Sequence, residues 1–200
     1  MRYFILLISL LLTSIFPLNA QKWEIATEKK GIKVYTRLAK DSDFKEFKAE
    51  VIIDAPINQL SETILKIEDY PTWCYKTQTT KLLEKKDNAV YFYFISDGPP
   101  MIKKREAYYL YQRRIDEKSK VVTISMTTFE TKNPVPSNLI RVPVSNGTWT
   151  LTPITASKTK VIFEMQAEPG GSIPSWLANL VVVESPLVTL NGLRQVVTKK

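Results

Sequence analysis

The feature that most constrains the fold is a nearly unbroken run of strand-like segments that stops at Pro169-Gly170-Gly171, where the periodicity changes. Ile32 to Leu38 and Phe44 to Asp54 alternate apolar with charged residues, and Phe47, Ala49, Val51 and Ile53 share one face of the second segment. Pro56 then opens a short helical stretch through Lys66, with Ile57, Leu60, Ile64 and Ile67 at helical spacing, and Tyr70-Pro71-Thr72-Trp73 breaks it. Further strand patterns are expected at about Thr77–Leu83, Val90–Ile95, Glu106–Ile115, Val121–Phe129, Ile140–Thr152 and Lys160–Ala167, with turn residues between them. Beyond residue 171, Ile173, Trp176, Leu180, Val183, Leu187, Leu190 and Val197 recur every three or four positions, as on a long amphipathic helix. Strands in succession without intervening helices imply an antiparallel sheet, and a sheet facing one helix makes an α+β domain. If the sheet curls around that helix, the space between them becomes either a core or a cavity.

Composition narrows the chemistry. The 200 residues include no histidine, and Cys74 is the one cysteine. Ser-His-Asp and Cys-His catalysis, HExxH zinc sites, intrachain disulfides and all-cysteine metal sites are therefore excluded. The six glycines fit neither GxGxxG nor GxxxxGK, so there is no phosphate loop of either kind. No cofactor and no metal are expected. Cys74, beside Trp73 and with no base placed near it, reads as an inert thiol.

Residues 1–20 stand apart from the domain. Arg2, then an apolar run from Phe4 to Leu12, then small and polar residues leading to Ala20 form the pattern of a secretory signal peptide. The expectation is export, to a periplasm or the exterior, with cleavage near Ala20 and a single domain over residues 21–200. The whole chain carries a formal charge of +8, and loss of Arg2 with the leader leaves +7. The positive residues fall in short clusters, including Lys85-Lys86, Lys103-Lys104-Arg105 and Arg113-Arg114. With acids interspersed these suit a solvated surface, or contact with anionic lipid head groups; nucleic acid is not expected as a partner.

Several segments resemble the START family, the steroidogenic-acute-regulatory-related lipid-transfer domains. Trp23 and Gly31-Ile32-Lys33-Val34-Tyr35-Thr36-Arg37 are similar to the family's opening Trp and "GI-x-VYTR" strand, and Tyr70-Pro71-Thr72-Trp73 to its short helix ending in Trp. Gly98-Pro99-Pro100-Met101 leading to Arg105-Glu106 resembles the Pro-rich loop and the "RD" strand start, and Leu139-Ile140-Arg141-Val142 the "IRV" strand. The most specific match is Glu168-Pro169-Gly170-Gly171-Ser172-Ile173-Pro174-Ser175-Trp176-Leu177-Ala178-Asn179, close to "DPGG-x-IPSW-xx-N". The matches run in family order from Trp23 to the carboxy terminus, with Glu106 and Glu168 where the family usually has Asp. This resemblance implies a helix-grip fold: a curved antiparallel sheet wrapped around the long last helix, with a tunnel for one hydrophobic ligand between them. It also places the loop with Pro99, Met101, Ile102, Lys103 and Lys104 at the tunnel mouth, where an apolar tip beside positive charge suits a membrane gate.

The candidate ligand contacts follow. In the aromatic run, Tyr91, Tyr93 and Tyr109 combine an apolar body with a hydroxyl that seeks a partner when buried, although alternation sends half of such a run to the opposite face. Phe163 and Met165 share a face of the last strand, and Trp149 and Trp176 are large aromatics suited to core or cavity. Trp176, Leu180, Val183, Leu187 and Leu190 form the expected inward stripe of the helix. Arg105 and Arg141 are either surface ion pairs or inward guanidinium groups for a phosphate or carboxylate. Pro186 and Gly192 weaken helical continuity, so the segment from Ile173 to Val197 is expected to act as a lid, loosest over residues 186–197.

The function expected is binding and transfer of a lipid or other hydrophobic small molecule by a monomer, with transient membrane contact and no covalent chemistry. One alternative is a small-molecule enzyme of the helix-grip cyclase or lyase type, using Glu164, Tyr109 or a lysine in the cavity as acid or base. Another is a partner-binding domain with a filled core and an exposed apolar patch.

Overall fold

The structure is a computed structural model, and it describes residues 22–98 and 101–198. The leader, Pro99, Pro100 and the last two lysines lie outside the described residues. The strands are β1 (Glu24–Lys29), β2 (Ile32–Leu38), β3 (Lys45–Ile53), β4 (Thr77–Lys86), β5 (Ala89–Ser96), β6 (Lys104–Ile115), β7 (Val122–Thr128), β8 (Leu139–Arg141), β9 (Val144–Thr155) and β10 (Lys158–Glu168). Between β3 and β4 come α1 (Ile57–Leu65), a single 3₁₀ turn and the four-residue α2 (Tyr70–Trp73); α3 (Ser175–Thr198) ends the chain.

Nine strands form one antiparallel path in the order β1-β2-β3-β10-β9-β7-β6-β5-β4, and β8 joins it by pairing in parallel with β6. Hairpins link most neighbours along the chain, while β3 returns to pair with β10, so two strands distant in sequence close the middle of the sheet. The inward parity of β3 is the one the alternation predicts: Phe47, Ala49, Val51 and Ile53 are all buried. α3 crosses this sheet and packs on β1, β2 and β3 and on both short helices. The helix-grip arrangement implied by the sequence is the one observed.

The strands differ from expectation at two places. β1 adds an edge strand paired to β2, which alternation alone did not mark. The single strand expected over Ile140–Thr152 is two, β8 and β9, with Pro143 between them; proline lacks the N–H a ladder needs. Glu106 therefore pairs with Arg141 in β8, while β9 runs alongside β7 and β10.

α3 is where the sequence reading fails most. Its carboxy-terminal half is the anchored part, with Pro186, Thr189, Leu190, Leu193 and Val197 all buried. The amino-terminal half is the exposed one, Trp176 at 66% and Leu180 at 61%. Gly192 is no loose joint: a Cβ there would lie 2.3 Å from the Trp73 carbonyl oxygen, so glycine is what allows α3 to touch the end of α2. This packing runs against the expectation that residues 186–197 form the loosest part of a lid.

Candidate functional site

Between the sheet and α3 lies a cavity of about 240 Å³. Its aromatic wall follows from strand parity. On β6 the residues Arg105, Ala107, Tyr109 and Tyr111 point the same way, and the antiparallel register sets Phe92 of β5 opposite Tyr109 and Phe94 opposite Ala107. Tyr70 closes this side, its hydroxyl donating to the Ile64 carbonyl at 2.6 Å. The opposite wall comes from Met126 on β7, Trp149 on β9, and Phe163 and Met165 on β10. Trp149 and Phe163 are stacked with ring centroids 3.8 Å apart, and Phe47 meets Phe163 edge-on at 5.0 Å.

α3 contributes small and medium side chains: Ala178, Val181, Val182, Ser185 and Thr189 face the space. This is the physical reason that a cavity exists at all. A stripe of Trp and Leu on that face would fill the gap, whereas Ala, Ser and Thr leave it open.

Burial sets the chemistry of the polar groups. Desolvation pushes the Tyr109 hydroxyl up to about 12 and raises those of Tyr70 and Tyr111 as well, so all three stay protonated and able to donate at neutral pH. The Trp149 indole Nε1 is buried without a hydrogen-bond partner. Burial also lowers the Arg105 pKa, the direction expected for a cation partly removed from water. Among the described residues, the side chain of Arg105 is held by backbone alone: Nε donates to the Pro169 carbonyl, Nη1 to the Lys103 carbonyl and Nη2 to the Gly170 carbonyl. Gly170 has a φ of +66°, and a Cβ there would sit 2.6 Å from the Arg141 carbonyl oxygen, so this turn requires glycine.

The expected contacts divide into two sets. Arg105, Tyr109, Trp149, Phe163 and Met165 line the cavity. Tyr91, Tyr93, Arg141, Trp176, Leu180, Val183, Leu187 and Leu190 do not. Tyr91 and Tyr93 fall on the opposite face because the register pairs them with Leu110 and Tyr108, not with Tyr109. Arg141 belongs to an outer cluster: its Nε donates to Glu106 Oε1 at 2.9 Å, Tyr93 donates to Glu106 Oε2 at 2.6 Å, and the guanidinium lies 5.2 Å from the Tyr108 ring centre. Of its two weighed roles, Arg141 takes the ion pair, with a carboxylate only 1% exposed. Trp176 and Leu180 face solvent, and Val183 is half-buried. Leu187 and Leu190 pack into the core beyond the cavity. Glu164, named for an enzymatic alternative, also points away from the cavity, because its neighbours Phe163 and Met165 point in.

Among the cavity residues the sequence reading missed are Phe92, Tyr111 and the inward face of α3. For the two aromatics a signal existed: once Tyr109 is placed inward, Tyr111 follows by parity, and Phe92 by pairing. No comparable signal marked Ala178, Ser185 and Thr189. In the gate loop, Pro99 lies outside the described residues, Met101 is fully exposed, and Lys104 pairs with Asp97 at 3.5 Å. Asp97 and Gly98 stand on the cavity rim together with Pro169 and Ile173.

Comparison with known proteins agrees with this architecture. The START domain model matches residues 17–199. An uncharacterized protein of Pseudomonas aeruginosa is 30% identical over 181 residues, covering 90% of this chain and 89% of that protein. The phosphatidylcholine transfer protein of Mus musculus is 25% identical over 166 residues, covering 81% and 77%. The crystal structure of a STAR-related lipid transfer protein fragment from Xanthomonas axonopodis superposes with a TM-score of 0.82 at 31% identity, covering 88% of this chain and 99% of that one. With its curved sheet gripping one long helix and a family match spanning nearly its whole length, this chain belongs to the START domain family.

Proposed function

We propose that this protein binds a lipid in the cavity between the sheet and α3 and exchanges it at a membrane, with no covalent step of its own. The observation that carries the reading is the cavity itself: about 240 Å³, walled mainly by apolar side chains and faced by the small residues of α3. The partner-binding alternative called for a filled core at this place. Two similar proteins are named for lipid transfer, one of them for phosphatidylcholine.

The energetics suit a carrier. A 16-carbon chain moved from water into an apolar cavity gains roughly 12 kcal/mol at ~0.8 kcal/mol per methylene. Escape into water is correspondingly slow, so exchange takes place against a membrane, through an opening of the cavity rim. Exposed apolar groups stand close in sequence to lining residues: Met101 after Gly98 in the loop before β6, and Trp176 and Leu180 beside Ala178 in the first half of α3. Lys103 and Lys104 follow Met101-Ile102 in the chain, and basic residues near an anionic surface contribute about 1 kcal/mol each. Export through the residue 1–20 leader would place this exchange outside the cytoplasm, with the protein acting as a monomer. Of the groups an acid–base enzyme would use, Glu164 points away from the cavity, Tyr109 has a raised pKa that makes it a poor base at neutral pH, and Lys45 and Lys76 stand on the lining.

The test is extraction of the purified protein with organic solvent, native mass spectrometry of the complex, and transfer of fluorescent lipid between vesicles. One lipid per chain is expected, with transfer slowed when Lys103 and Lys104 are both changed to Glu and the acceptor vesicles are anionic. A protein that yields no lipid and takes up none from vesicles refutes the reading.

A further inference from the structure

The cavity holds one feature that simple solubilisation does not explain. Arg105 is 8% exposed and lies on the cavity wall, yet among the described residues no carboxylate comes within 4 Å of it. Two acidic residues share that wall, and both are engaged elsewhere. Glu106 turns its carboxylate to Tyr93 and Arg141 on the outer face, and Asp97 turns to Lys104. Lys45 and Lys76 add further positive charge along the lining.

A guanidinium has five N–H donors in a rigid planar fork. Three are used here, each on a backbone carbonyl, and the Nε and Nη2 bonds are 3.5 Å long, at the limit for a hydrogen bond. Among the described residues, two donors and the net charge remain unmatched. A buried cation without a counterion is costly, and the matching group for a planar fork is a carboxylate or phosphate. The cavity volume restricts what carries that group. At about 240 Å³ it lies below the roughly 300–1,000 Å³ of ordinary ligand pockets, which suits one hydrocarbon chain better than two.

We infer that the ligand is a single-chain amphiphile with an anionic head, its carboxylate or phosphate oxygens on the free donors of Arg105 and its chain along the wall of Phe92, Tyr109, Trp149 and Phe163. The inference rests on the lipid-binding reading and adds the class of lipid. The carbonyl bonds of Arg105 keep a second role, tying the start of β6 to the turn before α3. They preset the guanidinium for the head group and do not neutralise it.

The experiment titrates the delipidated chain with oleate, 1-oleoyl lysophosphatidate, oleyl alcohol and dioleoyl phosphatidylcholine, following tryptophan fluorescence, and repeats it with Arg105→Gln and Arg105→Lys. At least one of the two anions should bind tenfold or more tightly than oleyl alcohol. Arg105→Gln should erase that preference with little change for the alcohol, and Arg105→Lys should keep part of it. The stronger of the two anions identifies the head as carboxylate or phosphate. Equal binding of alcohol and anions by the unaltered protein overturns the inference, as does a preference that survives Arg105→Gln, or binding of phosphatidylcholine alone. In each of those cases a lipid still binds and the lipid-binding reading stands; binding of none of the four, with no lipid recovered from the protein, fails both. If Arg105→Gln does not fold, the ranking by the unaltered protein decides.

Discussion

Replacing Gly192 by alanine sets two physical effects against each other, and the structure says which wins. On helix propensity alone the change stabilises by about 1 kcal/mol, since glycine in a helix interior is that much worse than alanine. The new Cβ, however, would stand 2.3 Å from the Trp73 carbonyl oxygen and 3.0 Å from its carbon. Backbone atoms cannot swing aside as a flexible side chain would, so α3 and the end of α2 must part by about 1 Å to reach ordinary contact. Overpacking of this kind costs roughly 1–3 kcal/mol. The same separation strains the bond from the Tyr75 N–H to Thr189 Oγ1, now 3.2 Å, worth about 0.5–1.5 kcal/mol. The net expectation is destabilisation by about 2 kcal/mol, a fall in Tm of roughly 4–8 °C for a chain of this size. Urea unfolding followed by tryptophan fluorescence, with thermal melting by circular dichroism, measures it. A Gly192→Ala protein as stable as the original, or more so, would refute the close-approach argument and restore Gly192 as a simple weak point of the helix.

Two further outcomes are expected. Arg141→Leu leaves the Glu106 carboxylate, 1% exposed, with Tyr93 as its remaining side-chain partner, and should cost about 3 kcal/mol; adding Glu106→Gln should recover much of this, and additive losses in a double-mutant cycle would show that the pair is not coupled. Amide exchange along α3 should be faster over residues 176–184 than over 187–197, because the first half is exposed and the second buried, and bound lipid should slow the first half. The opposite gradient, or one indifferent to ligand, would mean that the break at Pro186 outweighs packing.

Much of the fold lies open in the one-dimensional pattern. Alternation marks β2, β3 and β10 to within a few residues, since each strand buries one face and a period of two has no other reading. The change of period after Pro169-Gly170-Gly171 marks α3 in the same way, and the segments around Trp23, Tyr70 and Glu168 carry the family. The phase of those periods is a different matter. α3 is apolar nearly all round from Leu177 to Val183, so its repeat cannot say which face turns inward, and the largest side chains, Trp176 and Leu180, turn out to face solvent. Parity likewise gives two faces for β5 without naming the concave one; pairing of Phe92 with Tyr109 decides that Tyr91 and Tyr93 lie outside. Arg105 and Arg141 read alike as sequence, and only the placement of β8 beside β6 gives Arg141 a carboxylate and leaves Arg105 without one. A cavity is a place where side chains are missing, and hydrophobic periodicity records the side chains that are present. Ala178, Ser185 and Thr189 therefore become visible only when the chain is folded and the space they leave has walls.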